Sequence, residues 1–529
     1  MGKWSLRQFL TNRQQQSYVI SLGAFCAGLL VVALACVLML ITIRGLDYFW
    51  PRPVQSIQFE LPDGTAKQVY AQINERHINS AVESGSEPAF VFRYSDSQHP
   101  YGRSLLVEAN AVEAISEATQ AADILLINGT RVFSEPLSIR LPEGQSGELA
   151  QYDEIRDTVT AIREQIETVR KERLASVHRE LASLDLRQVE EDAPARLRLY
   201  ADFERWQQEV LRLEAQLANY QLVTRFNNGS EFLIPLDDID RLSYPGQLDW
   251  FGKLGIVGAG VVAFLTDAPK QANTAGGVFP ALFGTVLMIF VMTILVTPFG
   301  VLAAVYLNEY APDNHLTSVI RICVSNMAGV PSIVYGVFGL GFFVYLVGGN
   351  IDELFFKDAL PAPTMGTPGV FWASLTMAIL TLPVVIVATE EGLRRVPEGL
   401  KSGSYALGAT KFETIWHTVL PMASPGIMTG VILAIARAAG EVAPLMLVGA
   451  VKFAPNLPFD GEFPYLHLDR QFMHLGVLIY DGAFHSQTDV RSASLMFASC
   501  LLLLVVVFVL NVLAVILRRR LRKRYLRGY

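Results

Sequence analysis

An arginine and a glutamate lie four residues apart within an apolar stretch long enough to cross a membrane. The stretch covers residues 422–450, and the two residues are Arg437 and Glu441. A charge near the centre of a bilayer costs on the order of 3 kcal/mol, so charged residues there usually have a function. Positions i and i+4 share one face of a helix, where the two side chains can pair. A guanidinium keeps its charge and presents planar donors to tetrahedral oxyanions, which predicts that Arg437 lines the path of an anion.

Glu441 has a matching role in this hypothesis. It would hold the Arg437 side chain in place and weaken the binding of the anion to Arg437, so that the anion can leave. A second interpretation is a structural ion pair that locks this helix to a partner subunit, and both remain open. Prolines within the apolar stretches are typical of transporters, because kinks free backbone groups that neighbours or a water-lined path must satisfy, although ordinary kinked helices contain them too. They are Pro298, Pro331, Pro383, Pro425 and Pro444.

A polar segment, residues 390–421, separates this stretch from another apolar one at 369–389. Its composition predicts a helix-turn-helix, in which Gly408 takes the left-handed backbone found at a helix end. Pro421 is expected to close the second helix, because proline is tolerated at the start of a helix and not in its middle. A structured loop of this kind suits docking to a soluble partner better than a simple connection between two spans.

Segment 390–421 also combines an apolar face with basic residues. Helical spacing predicts an amphipathic second helix. Its apolar residues are Phe412, Ile415, Trp416 and Val419. The basic residues Arg394, Arg395 and Lys401 either contact the soluble partner or only mark the cytoplasmic side of the membrane.

The chain has 529 residues, 51% of them apolar, and six stretches long enough to span a bilayer. We predict spans at 19–43, 278–307, 318–347, 369–389, 422–450 and 493–517. The short loops on one side carry fourteen lysines and arginines, against four on the other. The positive-inside rule therefore predicts that both termini, residues 1–18 and 518–529, and segment 390–421 are cytoplasmic. The basic termini adjoin apolar spans, so the membrane explains them better than nucleic acid does.

Residues 44–245 break the membrane pattern and predict an inserted extracytoplasmic α+β domain, periplasmic in a Gram-negative cell. Turn signals between β-rich runs predict strands, including a hairpin across Asn228-Gly229. Residues 150–221 predict a hairpin of two helices, and the apolar stripe of the first helix skips one residue between Val169 and Leu174. The hairpin is either an antiparallel coiled coil or a helix pair packed on the strands. Residues 246–277 contain an apolar run too short for a span, which we interpret as an interfacial helix.

Four motifs make the pattern more specific. They are GGVFPALFGT at 276–285, PFGVLAAVYL at 298–307, AGVPSIVYG at 328–336 and ARAAGEVAPL at 436–445. From about residue 264 to 517 the chain resembles the phosphate ABC importer permeases of the PstA family. Segment 390–421 is similar to the coupling loop of ABC importer permeases, with Gly408, Leu420 and Pro421 at the matching positions, while residues 402–404, Ser-Gly-Ser, replace its Glu-Ala-Ala.

The resemblance implies an all-α polytopic membrane domain of six transmembrane helices, the type I ABC importer permease fold, with residues 278–517 as its core. It also implies that Arg437 is required for phosphate transport. The implied partners are a PstC-type permease subunit, a PstB-type ATPase dimer and a periplasmic phosphate-binding protein. The sequence contains no Walker-type glycine-rich loop, so separate subunits would bind and hydrolyse ATP. We therefore expect an inner-membrane transport subunit rather than an enzyme, with no cofactor or metal of its own.

Two other classes of membrane protein explain parts of the pattern. A membrane sensor would also place an extracytoplasmic domain between two spans, but it needs a cytoplasmic output domain, and only short cytoplasmic segments are predicted. A secondary transporter would show internal repeats of its spans, and none is convincing. Within the ABC class, another oxyanion or a phosphonate remains an alternative to phosphate.

Overall fold

A computed structural model describes residues 12–60, 65–77, 89–186, 190, 193–270, 275–357, 362–461, 465–485 and 490–526. The chain divides into two compact units. One unit consists of Met1–Phe49 together with Val261–Tyr529, and the other consists of Trp50–Gly260. The second unit corresponds to the insertion predicted at 44–245, and it also includes part of the segment predicted to be interfacial.

The inserted unit follows helix α1 (Asn12–Asp47) and contains two antiparallel sheets. Its strands are β1 (Gln55–Glu60), β2 (Ala66–His77), β3 (Ala89–Ser95), β4 (Arg103–Glu108), β5 (Val112–Glu117), β6 (Ala122–Leu126), β7 (Arg131–Arg140), β8 (Ser146–Gly147), β9 (Gln221–Arg225), β10 (Glu231–Pro235) and β11 (Ile239–Ser243). The first sheet has the order β4-β3-β2-β1-β5; the second has the order β10-β9-β7-β6-β11, with β8 paired to β7. The predicted hairpin is confirmed, because β9 and β10 pair across Asn228-Gly229, where Gly229 has a φ of 83°.

The predicted helix hairpin of the inserted unit is also present. It consists of α2 (Tyr152–Thr168), α3 (Ala175–Leu186) and α4 (Pro194–Leu217). A turn of π-helix, Val169–Leu174, joins α2 to α3 where the apolar stripe skips a residue, since a π-turn absorbs one extra residue. Ile162 of α2 and Leu213 of α4 share a hydrophobic core with Leu222 of the second sheet. The half of the hairpin nearest this sheet is therefore packed on strands, and a coiled coil in the outer half stays a prediction.

The membrane unit is almost entirely helical. Helix α5 (Trp250–Thr266) belongs partly to each unit, because the division falls between Gly260 and Val261. The later helices of the membrane unit are α6 (Phe279–Val305), α7 (His315–Met327), α8 (Ser332–Phe338), α9 (Gly349–Phe355), α10 (Val370–Arg394), α11 (Glu398–Ala406), α12 (Lys411–Thr414), α13 (Leu420–Gly440), α14 (Ala443–Val448), α15 (Leu475–His485) and α16 (Val490–Leu526). Turns of π-helix extend α6 (Tyr306–Tyr310) and connect α8 to α9 (Gly339–Gly348) and α12 to α13 (Ile415–Val419). Two short strand pairs complete the unit: β12 (Pro269–Lys270) with β13 (Ala275–Gly276), and β14 (Ala450–Val451) with β15 (Phe472–Met473).

Six helices in the described part of the chain are long and apolar enough to cross a membrane, the number that the sequence predicts. In chain order, spans one to six are Gln16–Asp47, Phe279–Tyr310, Ser332–Phe355, Val370–Arg394, Lys411–Gly440 and Ala493–Ile516. Spans one, two, four and six agree with the predicted positions, and spans three and five do not.

The prediction of span three at 318–347 is wrong, because the apolar run contains a break. Helix α7 ends at Met327, and span three begins at Ser332, directly after Pro331. Proline lacks an N–H group and disfavours helical backbone in the residue before it, so the helix ends ahead of Pro331 and a new one starts after it. Pro331 therefore begins a helix instead of kinking one.

The predicted start of span five at 422 is also wrong, because the polar segment before it continues into the span without interruption. The helix runs from Lys411 to Gly440, and Pro421 lies within it. Proline cannot bond to the carbonyl four residues back, but the π-turn at Ile415–Val419 shifts the hydrogen bonds by one residue just before Pro421. Pro421 therefore does not close the helix that precedes it.

Span four lies between spans two and five, which it approaches closely through glycines. A Cβ added to Gly300 would lie 2.6 Å from Cγ1 of Val385, and one added to Gly426 would lie 2.5 Å from the Cα of Gly392. Small residues are common at helix contacts in membranes, where dispersion between closely packed helices replaces the hydrophobic effect. This packing holds the end of span five against span four, since Ala438 and Met377 belong to the same core.

Candidate functional site

Arg437 lies in the last turn of span five, next to a break in the helix. The helix ends at Gly440, and Glu441 follows with extended backbone at φ −82° and ψ 133°. Helix α14 then begins with Pro444 in its first turn. Pro444 has no N–H group to bond to the carbonyl of Gly440, which disfavours a continuous helix through this position. The prediction that Arg437 and Glu441 share a continuous helical face is therefore wrong.

The side chains of Arg437 and Glu441 still meet. Nε of Arg437 lies 3.5 Å from Oε1 of Glu441, and the two side chains are 31% and 22% exposed. A Cβ added to Gly440 would meet nothing within 4 Å, so this chain leaves room beside Gly440. A single contact of this length is a weak ion pair. Among the residues that the structure describes, no hydrogen bond occupies the Nη groups of Arg437, which leaves donors for an anion.

The break in span five lies next to the break before span three. A Cβ added to Gly336 in α8 would lie 2.7 Å from the Cα of Pro444. Tyr335, one residue earlier, donates a hydrogen bond of 2.8 Å to the carbonyl of Met327, which ties the two sides of the break before span three together. Tyr335 is also close enough to Arg437 for an electrostatic interaction. Two interrupted helices therefore meet beside the arginine, an arrangement typical of substrate sites in transporters.

A buried histidine lies near the span-five break. A Cβ added to Gly476 would lie 2.7 Å from Cγ2 of Val442, a residue within the break. His474 is only 1% exposed, and its Nδ1 accepts a 3.0 Å hydrogen bond from the N–H of Gly476. The N–H of Leu475 donates to Oγ1 of Thr285 in span two at 2.9 Å. Buried groups thus fix the break against span two.

Segment 390–421 contains the predicted helix-turn-helix, residues 398–419, which we name the coupling hairpin. Helix α11 is followed by Gly408 with a φ of 89°, the left-handed conformation predicted for it. The second helix begins with a capping box, in which Thr410 and Glu413 bond to each other's backbone N–H groups. The hydroxyl groups of Ser404 and Thr414 lie 2.9 Å apart and join the two helices.

The second helix of the coupling hairpin has two apolar faces with different surroundings. Ile415 and Val419 are buried in a core shared with the ends of spans two and four. Phe412 and Trp416 are 65% and 59% exposed, and their rings stack with centroids 6.1 Å apart. Leu407, in the turn, is 91% exposed. Exposed aromatic and aliphatic groups on a short polar hairpin indicate a protein-docking surface.

Lys401 in α11 is buried, so it does not belong to this docking surface. Its Nζ lies 2.8 Å from Oε1 of Glu309 in span two, and the two side chains are 11% and 8% exposed. Burial by itself lowers the pKa of Lys401, but hydrogen bonds and charge from Glu309, and then from Glu398, outweigh burial and raise the pKa. A raised lysine pKa stabilises the fold below the unfolded pKa, and this contribution is lost only as the pH rises through the folded pKa. The pair is therefore intact at neutral pH.

Two further cations hold the same end of span two, residues Tyr306–Tyr310. Arg321 of α7 donates from Nη2 to a carbonyl of this turn at 2.7 Å, and its Nε lies 3.2 Å from Oε1 of Glu390 in span four. Lys411 of α12 places its Nζ 4.6 Å from the centroid of the Tyr310 ring, a cation–π contact. The end of span two is thus joined to α7, α11 and α12 by polar contacts.

Comparison with known proteins shows which family contains these features. Residues 296–523 match the family described as "Binding-protein-dependent transport system inner membrane component". Over 260 residues the chain is 33% identical to the phosphate transport system permease protein PstA of Yersinia pestis, which covers 49% of this chain and 78% of that protein. The chain belongs to the PstA family of ABC transporter permeases.

Other relatives match a shorter part of the chain. The phosphate transport system permease protein PstA 1 of Mycobacterium tuberculosis is 38% identical over 195 residues, which covers 37% of this chain and 58% of that protein. The probable ABC transporter permease protein YqgI of Bacillus subtilis is 33% identical over 202 residues, which covers 38% of this chain and 63% of that protein. The chain thus spans about 60% of the length of these two relatives. Membership of the PstA family makes the chain a multi-span inner-membrane transport component and not an enzyme.

The structure brings some of the predicted site residues together and separates others. Arg437 and Glu441 are in contact, and Gly408, Leu420 and Pro421 all lie in or directly after the coupling hairpin. Arg394 is 60% exposed and pairs with Glu390 at 2.7 Å, whereas Lys401 is buried. Sequence reasoning missed three residues, Glu309, Arg321 and Glu390. Glu309 and Lys401 are 92 residues apart, so no local pattern connects them. The available signal was an acidic residue at the end of span two that is predicted to face the cytoplasm, the side on which the basic segment 390–421 is also predicted.

Proposed function

We propose that this chain is a permease subunit of an ATP-driven importer and carries inorganic phosphate across the inner membrane. The observation that carries the proposal is Arg437, which lies in a helix break of a PstA-family chain and is held by a single 3.5 Å contact. A guanidinium in this setting binds a tetrahedral oxyanion without losing its charge. Glu441 competes with the anion for Arg437 and so favours its release.

The proposed topology has both termini and the coupling hairpin in the cytoplasm and the inserted unit outside. The charge distribution in the short loops supports it. Starting span three at Ser332 leaves Arg321 in the preceding loop, which adds one more basic residue to the cytoplasmic side. On this topology α5 is an interfacial helix, with Trp250 and Phe251 exposed at its start as anchors in the lipid headgroup region.

Separate subunits supply the energy in this proposal. A PstB-type ATPase dimer docks on the exposed surface formed by Leu407, Phe412 and Trp416, and a PstC-type permease completes the pathway. A phosphate-binding protein delivers the anion from outside. The helix from Lys411 to Gly440 is continuous, so movement of the coupling hairpin is passed directly to the end of span five, where Arg437 lies.

The helix hairpin of the inserted unit is proposed to reach the binding protein or the partner permease. Its outer half carries exposed apolar residues on α4, Leu197 and Tyr200, at a spacing that shares one face. Deleting residues 150–221 is expected to weaken docking of the binding protein or assembly with the partner permease. Normal docking, assembly and uptake after this deletion would contradict the proposed role.

Phosphate uptake by the reconstituted complex tests the proposed function. Arg437→Gln removes the charge and is expected to abolish phosphate uptake while the complex still assembles. Arg437→Lys, which keeps the charge but loses the planar donors, is expected to retain a small fraction of uptake. Sulfate and a phosphonate, added as competitors, distinguish phosphate from related anions. Unchanged uptake by an assembled Arg437→Gln complex would remove Arg437 from the path.

A further inference from the structure

The coupling hairpin connects to the membrane helices by two different routes. Its second helix continues through the π-turn at Ile415–Val419 into span five, which is a covalent and uninterrupted helical connection. Span two has no such connection to the hairpin along the chain. In the described residues its polar contacts to the hairpin are the Lys401–Glu309 ion pair and the stacking of Lys411 on Tyr310.

The Lys401–Glu309 pair has the properties of a permanent contact. Both side chains are about nine-tenths buried, and the distance of 2.8 Å is that of a charge-assisted hydrogen bond. Asn308 donates a second hydrogen bond of 2.8 Å to the same oxygen of Glu309, which orients the carboxylate. Removing one partner of a buried pair leaves an uncompensated charge, so separation of the two elements is strongly disfavoured.

We propose that the Lys401–Glu309 pair is the link that makes span two move together with the coupling hairpin. Lys401 and Glu309 are then positioning residues for transport, acting through the helices they join and without contact to the transported anion. The proposal rests on the proposed function, in which the hairpin receives the movement of an ATPase. Without the pair, the contacts that remain between span two and the hairpin in the described residues are the apolar core around Ile415 and Val419 and the Lys411–Tyr310 contact. Less of the movement then reaches span two than span five, and ATP hydrolysis is less closely matched by transport.

The first experiment measures phosphate uptake per ATP hydrolysed in the complete reconstituted complex. Lys401→Met and Glu309→Gln are each expected to lower this ratio at least about fivefold while ATP hydrolysis continues. The charge exchange Lys401→Glu with Glu309→Lys re-forms the pair and is expected to restore the ratio. Glu398→Gln is the matched control, because Glu398 contacts the same ammonium group at 3.3 Å but is 83% exposed, and this variant is expected to keep the wild-type ratio.

A wild-type ratio in both single variants would overturn the proposal. So would a charge-exchange variant that assembles but stays uncoupled. If the single variants fail to assemble, the charge-exchange variant decides alone: a wild-type ratio supports the link, and a low ratio overturns it.

A second experiment measures the link independently of the substrate. Spin labels at Ser402→Cys on α11 and Tyr306→Cys on span two, in a background without native cysteines, report the distance between the hairpin and span two. The distance is expected to stay constant when ATP is added to the complex, and to become variable in Glu309→Gln. An ATP-dependent change of this distance with the pair intact would overturn the link. Absence of phosphate uptake by the wild-type complex would instead contradict the proposed function.

Discussion

Two ion pairs flank the helix that runs from Lys411 to Gly440, and they differ in length and burial. At one end Arg437 and Glu441 are 3.5 Å apart and are 31% and 22% exposed. At the other end Lys401 and Glu309 are 2.8 Å apart and are 11% and 8% exposed. The first pair lies at a helix break with room beside Gly440, whereas the second lies between two elements packed closely against each other.

The difference indicates two different roles for pairs of the same chemistry. A pair that must release one partner to an incoming anion needs a weak contact and access to water, since an exposed contact costs little to break. A pair that must hold two helices together needs burial, because separating it leaves a charge without compensation. Length and burial therefore support the proposed binding role of the Arg437 pair and the proposed holding role of the Lys401 pair.

Charge exchange at the Arg437 pair tests most directly whether the two pairs have different roles. Arg437→Glu combined with Glu441→Arg keeps the ion pair but moves the cation from the helix to the extended segment. We expect phosphate uptake to fall about a hundredfold, because the anion loses its charged partner at the required position. Uptake by reconstituted complexes measures the effect. Wild-type uptake by this double variant would show that the pair is structural, like the Lys401 pair.

Neutralising Glu441 alone tests whether this carboxylate competes with the anion for Arg437. In Glu441→Gln the anion no longer competes with a carboxylate for Arg437, so we expect tighter binding and slower release. The KM for phosphate and the maximal uptake rate are both expected to fall roughly fivefold, which corresponds to about 1 kcal/mol for a partly exposed pair. Uptake measured over a range of phosphate concentrations separates the two parameters. A higher KM in this variant would contradict the competing role of Glu441.

Substitution of Gly408 in the turn of the coupling hairpin is expected to have the smallest effect on transport. Gly408 has a φ of 89°, so Gly408→Ala costs about 1 kcal/mol of backbone strain. We expect the distorted turn to lower, a few-fold, the stimulation of the partner ATPase by this permease. Gly403 lies in α11, where an added Cβ would meet nothing within 4 Å, and Gly403→Ala is the matched control. It favours the helix by up to about 1 kcal/mol. Thermal unfolding and ATPase assays of both variants check this difference, and equal effects would contradict it.

The sequence predicts the elements that local patterns specify. Hydropathy predicts six spans, Asn228-Gly229 predicts a β-hairpin, and Gly408 predicts the turn of the coupling hairpin, all of which are present. Even the skipped residue between Val169 and Leu174 corresponds to a π-turn. These predictions are correct because the periodicity or turn chemistry on which they rest acts over only a few residues.

The sequence does not predict where apolar runs are interrupted. Pro331 and Pro444 begin helices, Pro421 is passed with the help of a π-turn, and Pro298 lies inside a helix. All four prolines lie in or beside apolar helices, so hydropathy alone does not distinguish these outcomes. The partner of Lys401 could not be predicted either, since Glu309 is distant in the sequence and only packing brings it close.

The account depends most on the coupling hairpin facing the cytoplasm, where an ATPase can reach it. Leu407 is 91% exposed in the turn, so a Leu407→Cys variant without the four native cysteines offers one reactive site. A membrane-impermeant maleimide is added to right-side-out and to inside-out membrane vesicles. The account predicts labelling in inside-out vesicles only. Labelling of Leu407→Cys in sealed right-side-out vesicles would contradict it.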